Sequence, residues 1–129
     1  MKRKRERWEL VAFITTEMGD DLIVSFAIYE PDDPADIESL IILRTPKHEV
    51  FLEDWERGAS VSFDREPESY ERVLLEQVVY DPDGKCITLR TGHRTYKLDV
   101  RKVDPKELSS MCRVFRKMNF DSSIRLTGV

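Results

Sequence analysis

Apolar and polar positions alternate over much of this chain, and the runs in which they do so predict strands. Trp8 to Thr15 and Asp21 to Tyr29 are rich in apolar, β-branched and aromatic residues and are separated by Glu17-Met18-Gly19-Asp20, which predicts a hairpin. The second run is apolar on both alternating faces, with Leu22, Val24, Phe26 and Ile28 on one and Ile23, Ala27 and Tyr29 on the other, as in a strand covered on two sides. Glu30 to Asp36 contains two prolines and several aspartates and reads as a loop, after which Ser39 to Arg44 resumes as a strand. Glu49 to Glu53 reads as a short strand, Glu56-Arg57-Gly58 as a turn, and Ser60 to Asp64 as a strand with one wet face. Glu66-Pro67-Glu68-Ser69 reads as a loop.

Arg72 to Tyr80 and Lys85 to Arg90 flank Asp81-Pro82-Asp83-Gly84, whose Asp-Gly pair is suited to the positive φ values of a tight hairpin. The turn Thr91-Gly92-His93-Arg94 leads into Thr95 to Val103, where Tyr96, Leu98 and Val100 face one way and Lys97, Asp99 and Arg101 the other, so the last three runs predict a meander. A helix is predicted over 105–118. Asp104 is its N-cap, Pro105 its first residue and Glu107 stands three residues after the cap, while Leu108, Met111, Cys112, Phe115 and Met118 recur on one face. Ile124 to Leu126 is apolar enough for a last strand or a docked tail.

The fold class expected is α+β, mainly β: seven or eight antiparallel strands in a bent sheet or small barrel, with one C-terminal amphipathic helix covering the core. This order of elements resembles that of pleckstrin-homology-like barrels and, more distantly, of calycin barrels. No motif accompanies the resemblance, so it implies architecture and no activity.

Length and composition then set bounds. A chain of 129 residues, 40% hydrophobic, with 6 prolines, 5 glycines and a net charge of -4, suits one folded domain over 8–129, preceded by a basic arm at 1–7 expected to be disordered. No apolar run approaches the roughly 20 residues of a transmembrane helix. The basic start lacks the apolar stretch of a signal peptide, so a cytoplasmic protein is expected, with Cys86 and Cys112 as free thiols.

Catalytic patterns are not found. The glycines are scattered, so none forms a phosphate-cradling loop, and Gly58-Ala59-Ser60 lacks the second glycine of a nucleophile elbow. Cys112 falls on the apolar helix face. Cys86 is the less ordinary thiol, on the polar side of its strand and within chain reach of His93. His48 and Glu49, with Glu53 or Asp54, are the nearest approach to a metal-ligand set, and loop or exposed-strand positions explain them more simply. No metal, no cofactor and no catalytic residue are assigned, and the protein reads as non-catalytic.

Charge layout is more informative. Glu17 to Glu38 holds 8 acidic residues and no basic one, whereas Lys85 to Lys117 holds 10 basic and 3 acidic. Arg90, Arg94, Lys97 and Arg101 fall on or beside the outward face of the last hairpin, a stripe able to meet an acidic partner or phosphates. Trp55, set between Asp54 and Glu56, is a candidate interface anchor. The expected function is protein binding, including self-association as a homo-oligomer. The alternatives are nucleic-acid or anionic-surface binding through the basic arm and the 90–101 stripe, and a small ligand held in a barrel.

Overall fold

The structure, a computed structural model, describes residues 8–66 and 72–129. The expected basic arm at 1–7 lies outside the described residues. Eight strands form one mixed, mostly antiparallel sheet: β1 Glu9–Met18, β2 Leu22–Glu30, β3 Asp33–Arg44, β4 Ser60–Phe63, β5 Leu75–Asp81, β6 Cys86–Thr91, β7 Thr95–Asp99 and β8 Arg125–Thr127. Their order is β4-β3-β2-β1-β7-β6-β5-β8. The chain thus makes one meander, β1 to β4, and a second, β5 to β7. Parallel pairing of Glu9 with Leu98 and Leu10 with Asp99 joins the two.

The sheet is strongly bent but not closed, so the barrel alternative does not form. Ser60 and Leu74 make one isolated bridge between β4 and the start of β5, with Val61 N–H donating to the Val73 carbonyl at 2.8 Å and Leu75 N–H to the Ala59 carbonyl at 2.8 Å. Farther along, the outer side of β5 is taken by β8, which runs parallel to it at Gln77 to Val79. Ile124 to Leu126 therefore contributes to a strand, as one of the two expectations had it.

The inner face of the bent sheet is filled. Val24, Phe26, Ile28, Leu40, Ile42, Ile87, Leu89 and Leu98 have no solvent exposure. Helix α1, Pro105–Met118, covers β1 and β2 with Met111, Val114, Phe115 and Met118. Fully burying such side chains contributes about 1.5–3 kcal/mol each. Tyr96, Leu98 and Val100 are buried as their alternation predicts, and the Asp104 carboxylate accepts from Lys106 N–H at 2.8 Å as an N-cap.

Four local expectations are corrected. The loop expected over 30–36 is only a turn, because β3 already begins at Asp33. β4 pairs only with Leu40 to Leu43, which leaves the first half of β3 with an open outer side among the described residues, where proline is tolerated. The strand expected at 49–53 is instead a 3-10 helix, Pro46–Phe51, followed by a second one, Asp54–Glu56. Proline at its first position favours the helical φ, and Glu49 turns inward to an arginine described below.

Glu107 does not close a capping box. Its carboxylate accepts instead from Ile14 N–H at 2.9 Å, beyond the point where β7 stops pairing with β1. In the Asp81 to Gly84 turn the left-handed residue is Lys85, at φ 54°, not the glycine. A Cβ at position 84 would lie 2.6 Å from the Asp81 carboxylate, which binds the amides of Asp83 and Gly84, so a side chain there would have to displace that carboxylate.

Candidate functional site

Two arginines occupy opposite ends of the inner face. Along β3, Leu40, Ile42 and Arg44 share the buried side, and Arg44, only 1% exposed, ends the strand opposite Leu22. Its guanidinium grips Glu49 at 2.7 and 2.8 Å and Asp121 at 2.8 and 3.0 Å, and donates to the Met118 carbonyl at 2.8 Å. The Phe120 ring covers it, 4.2 Å from the guanidinium carbon. Burial alone would lower the Arg44 pKa, yet the bonds to Glu49 and Asp121 outweigh it and leave the pKa raised. The same contact holds the Asp121 carboxyl well below the usual carboxylate range.

At the other end Arg65 continues past the Phe63 to Leu40 pairing and meets Glu38 at 3.0 Å and Glu9 at 2.7 Å, above the Phe63 ring at 4.7 Å. Beside it the Tyr96 hydroxyl donates to Glu66 at 2.8 Å, and Arg94 meets the same carboxylate at 3.3 Å. Burial, with Glu66 second, pushes the Tyr96 phenol up.

The Arg44 hub positions the most exposed apolar surface of the protein. Glu49, drawn inward, is buried, while its neighbours Val50 and Phe51 are 71% and 84% exposed, and Trp55 on the next 3-10 turn is 77% exposed. Phe120, also exposed, rests on the same guanidinium, at the root of the same segment. A bond from Glu53 N–H to the Glu56 carboxylate at 3.0 Å and one from Arg57 to the Leu52 carbonyl at 3.2 Å order the turn that carries Trp55. Glu53 and Asp54, both exposed, precede Trp55 in the chain, and Asp54 is paired with Arg57 at 3.6 Å.

The basic stripe is brought together only in part. Register places Lys97 opposite Thr88 and Arg90 opposite Thr95, so both lie on the outward side of the second meander. Arg94 is paired with Glu66, and Arg101 with Asp99 at 3.5 Å. Arg94 and Lys97 line a cavity of about 390 Å³ together with Arg65, Glu9, Glu66 and Tyr96. Lys97 also lies over the Trp8 ring at 5.4 Å.

The acidic block of the sequence is divided in space. Glu17, Asp20 and Asp21 flank the β1–β2 turn, and Glu30 to Asp36 the β2–β3 turn, separated by the length of β2, roughly 27 Å. Asp20 is held by Lys47 at 2.7 Å and Glu38 by Arg65.

The candidate thiol and metal groupings are not assembled. Cys86 pairs with Asp99 at the start of β6, and His93 stands beyond the far end of that strand. Burial, then Asp81 and Asp99, pushes the Cys86 thiol up, opposite to what a nucleophile requires. Glu49 is committed to Arg44, away from His48. Among the described residues no group of three His, Cys, Asp or Glu side chains is placed to hold a metal ion.

Sequence reasoning missed Arg44, Val50, Phe51 and Phe120, and it grouped Glu49 with His48 where the structure sets it against Arg44. One signal was present: Arg44 is in phase with Leu40 and Ile42, so an extended strand forces its charge to the core side. Compared with protein-family models, curated proteins and solved structures, the chain matches none of them. Among the described residues no helix is long and apolar enough to cross a membrane.

Proposed function

We propose that this is a small non-catalytic module that binds another protein through Val50, Phe51 and Trp55. The observation carrying this reading is the exposure of three large apolar side chains within six residues, on a segment fixed from behind by the buried Arg44–Glu49 pair. Contiguous exposed apolar side chains mark interaction sites, and tryptophan is enriched among the residues that dominate interface energies. A segment already ordered loses less entropy on docking. The two free thiols accord with a cytoplasmic setting.

The test compares the wild-type chain with Phe51→Ala/Trp55→Ala in affinity capture followed by reconstitution with the purified captured protein, alongside sedimentation of the chain alone. The reading requires a partner that binds the wild type directly and is lost with the double substitution while the fold persists. Binding indifferent to both substitutions contradicts it. A homodimer dissolved by them would make a second copy the occupant and overturn the assignment to a different protein.

A further inference from the structure

Helix α1 turns a wholly basic face to solvent. After Pro105 its exposed residues are Lys106, Ser109, Arg113, Arg116 and Lys117. At about 100° per residue they fall within an arc of roughly 100°, opposite the buried Met111, Val114, Phe115 and Met118, and at about 1.5 Å per residue the stripe runs roughly 16 Å. The one acidic residue of the helix, Glu107, is drawn off this face, its carboxylate accepting from Ile14 N–H at 2.9 Å. The carboxylates just before and after the helix are engaged as well, Asp104 as the N-cap and Asp121 on Arg44. Among the described residues no carboxylate is paired with Lys106, Arg113, Arg116 or Lys117.

Helix stability does not account for the stripe. Lys106 sits in the first turn, where the helix dipole disfavours a cation. Arg113 has like charges three and four residues on, at Arg116 and Lys117, and such pairs destabilise a helix. Composition does not account for it either, since the chain holds 25 acidic residues against 21 basic ones.

We propose that this face binds the phosphate backbone of duplex nucleic acid without reading its sequence. It is built by a different element from Val50, Phe51 and Trp55 and does not rest on their role. No apolar side chain is exposed on it, and Leu108 and Cys112 pack against the core. Protein interfaces bury an apolar centre, and helices that lie in a membrane surface insert an apolar side. Unpaired bases need aromatic platforms, and this face has none. A duplex presents dense charge, one phosphate per about 1.7 Å of its axis, and arginine, lysine and serine are side chains that bond phosphate oxygens. The net charge of -4 opposes the approach, so the affinity belongs to the weak, sequence-independent class.

The test is fluorescence anisotropy of a labelled duplex titrated with the full-length protein. A duplex of about 20 base pairs at about 50 mM salt should saturate with a Kd of about 100 μM or tighter. Arg113→Glu/Lys117→Glu should weaken binding by about tenfold or more. Arg113→Gln/Lys117→Gln should weaken it less and lower the slope of log affinity against log salt by about two. Arg90→Glu, on the outward side of the second meander, should change the Kd by less than about threefold. Unfolding midpoints confirm that each variant is folded.

Lys2, Arg3, Lys4 and Arg5 supply cations of their own, so the helix variants are repeated with those four changed to alanine, and the loss on reversing the helix charges should persist. A single strand of the same length, vesicles with about 30% phosphatidylserine and polyglutamate are the competing anions, and each should bind more weakly than the duplex. Four results overturn the proposal: no saturation by the duplex, binding unchanged by Arg113→Glu/Lys117→Glu, binding abolished by the four alanines alone, or tighter binding to any of the competing anions.

Discussion

Arg44 and Glu49 meet through two parallel hydrogen bonds, Nε to Oε2 at 2.7 Å and Nη2 to Oε1 at 2.8 Å, with the arginine side chain wholly shielded from water. Removing one partner of such a pair leaves an uncompensated buried charge. Arg44→Ala should cost about 3–5 kcal/mol in urea unfolding, whereas the apolar double replacement Arg44→Met/Glu49→Leu should recover only the part due to the stranded Glu49 carboxylate, because Asp121 and the Met118 carbonyl still lose their donor. Equal losses in the single and double variants would contradict this account of the hub.

Asp121 makes acid stability a second test. Its bond to Arg44 holds its folded-state pKa well below the ordinary carboxylate value of about 3.9, so the unfolded chain takes up the proton first as pH falls. The stability it contributes is fully present above about pH 5 and is lost progressively as pH drops through 4 toward the folded pKa. Denaturation midpoints of the wild type and Asp121→Asn should differ by a constant amount from neutral pH down to about 5 and converge below about 4. A difference that grows on acidification would reverse the sign and reject the assignment.

Glu107 supplies a third. Because its carboxylate satisfies Ile14 N–H across 93 residues of chain, Glu107→Ala removes a contact between the helix and β1. The expected cost is about 1–3 kcal/mol for an amide left without its acceptor, above the 0.3–1 kcal/mol of an acidic residue acting only on the helix dipole. A measured loss of less than about 0.5 kcal/mol would show that water replaces the carboxylate without penalty.

The element order, both hairpins, the meander and the helix were legible because each rests on local information: alternation, turn chemistry and capping. The inward positions of Tyr96 and Leu98 followed from the same alternation. What escaped depends on contacts distant in sequence. Glu49 leaves a strand-like run for a 3-10 helix because Arg44 waits for it inside, and Glu107 abandons its local capping role for an amide on β1.

The candidate site shows the same division. Trp55 was visible as a tryptophan between acids, but the exposure of Val50 and Phe51 follows only from the direction in which Glu49 turns. The polarised charge blocks were real in sequence and misleading in space, since β2 carries the two acidic turns to opposite ends.

Thiol reactivity offers a fourth test. Burial raises the pKa of Cys112 and, together with Asp81 and Asp99, that of Cys86. Both should react with a disulfide reagent at neutral pH more slowly in the folded protein than in urea, where the ordinary thiol pKa returns. Cys86→Ala and Cys112→Ala variants assign the two phases. A thiol that reacts faster when folded would point to an activated cysteine and contradict the non-catalytic reading.

The direct test of the central claim is calorimetric titration of the reconstituted partner into the wild type, Trp55→Ala, and Phe51→Ala/Trp55→Ala. These side chains are exposed, so stability should change by no more than about 0.5 kcal/mol per substitution. Binding should weaken by about 2 kcal/mol or more for Trp55→Ala, roughly thirtyfold in Kd, and further in the double variant. An unchanged Kd in the folded double variant would contradict the claim that this segment is the binding surface.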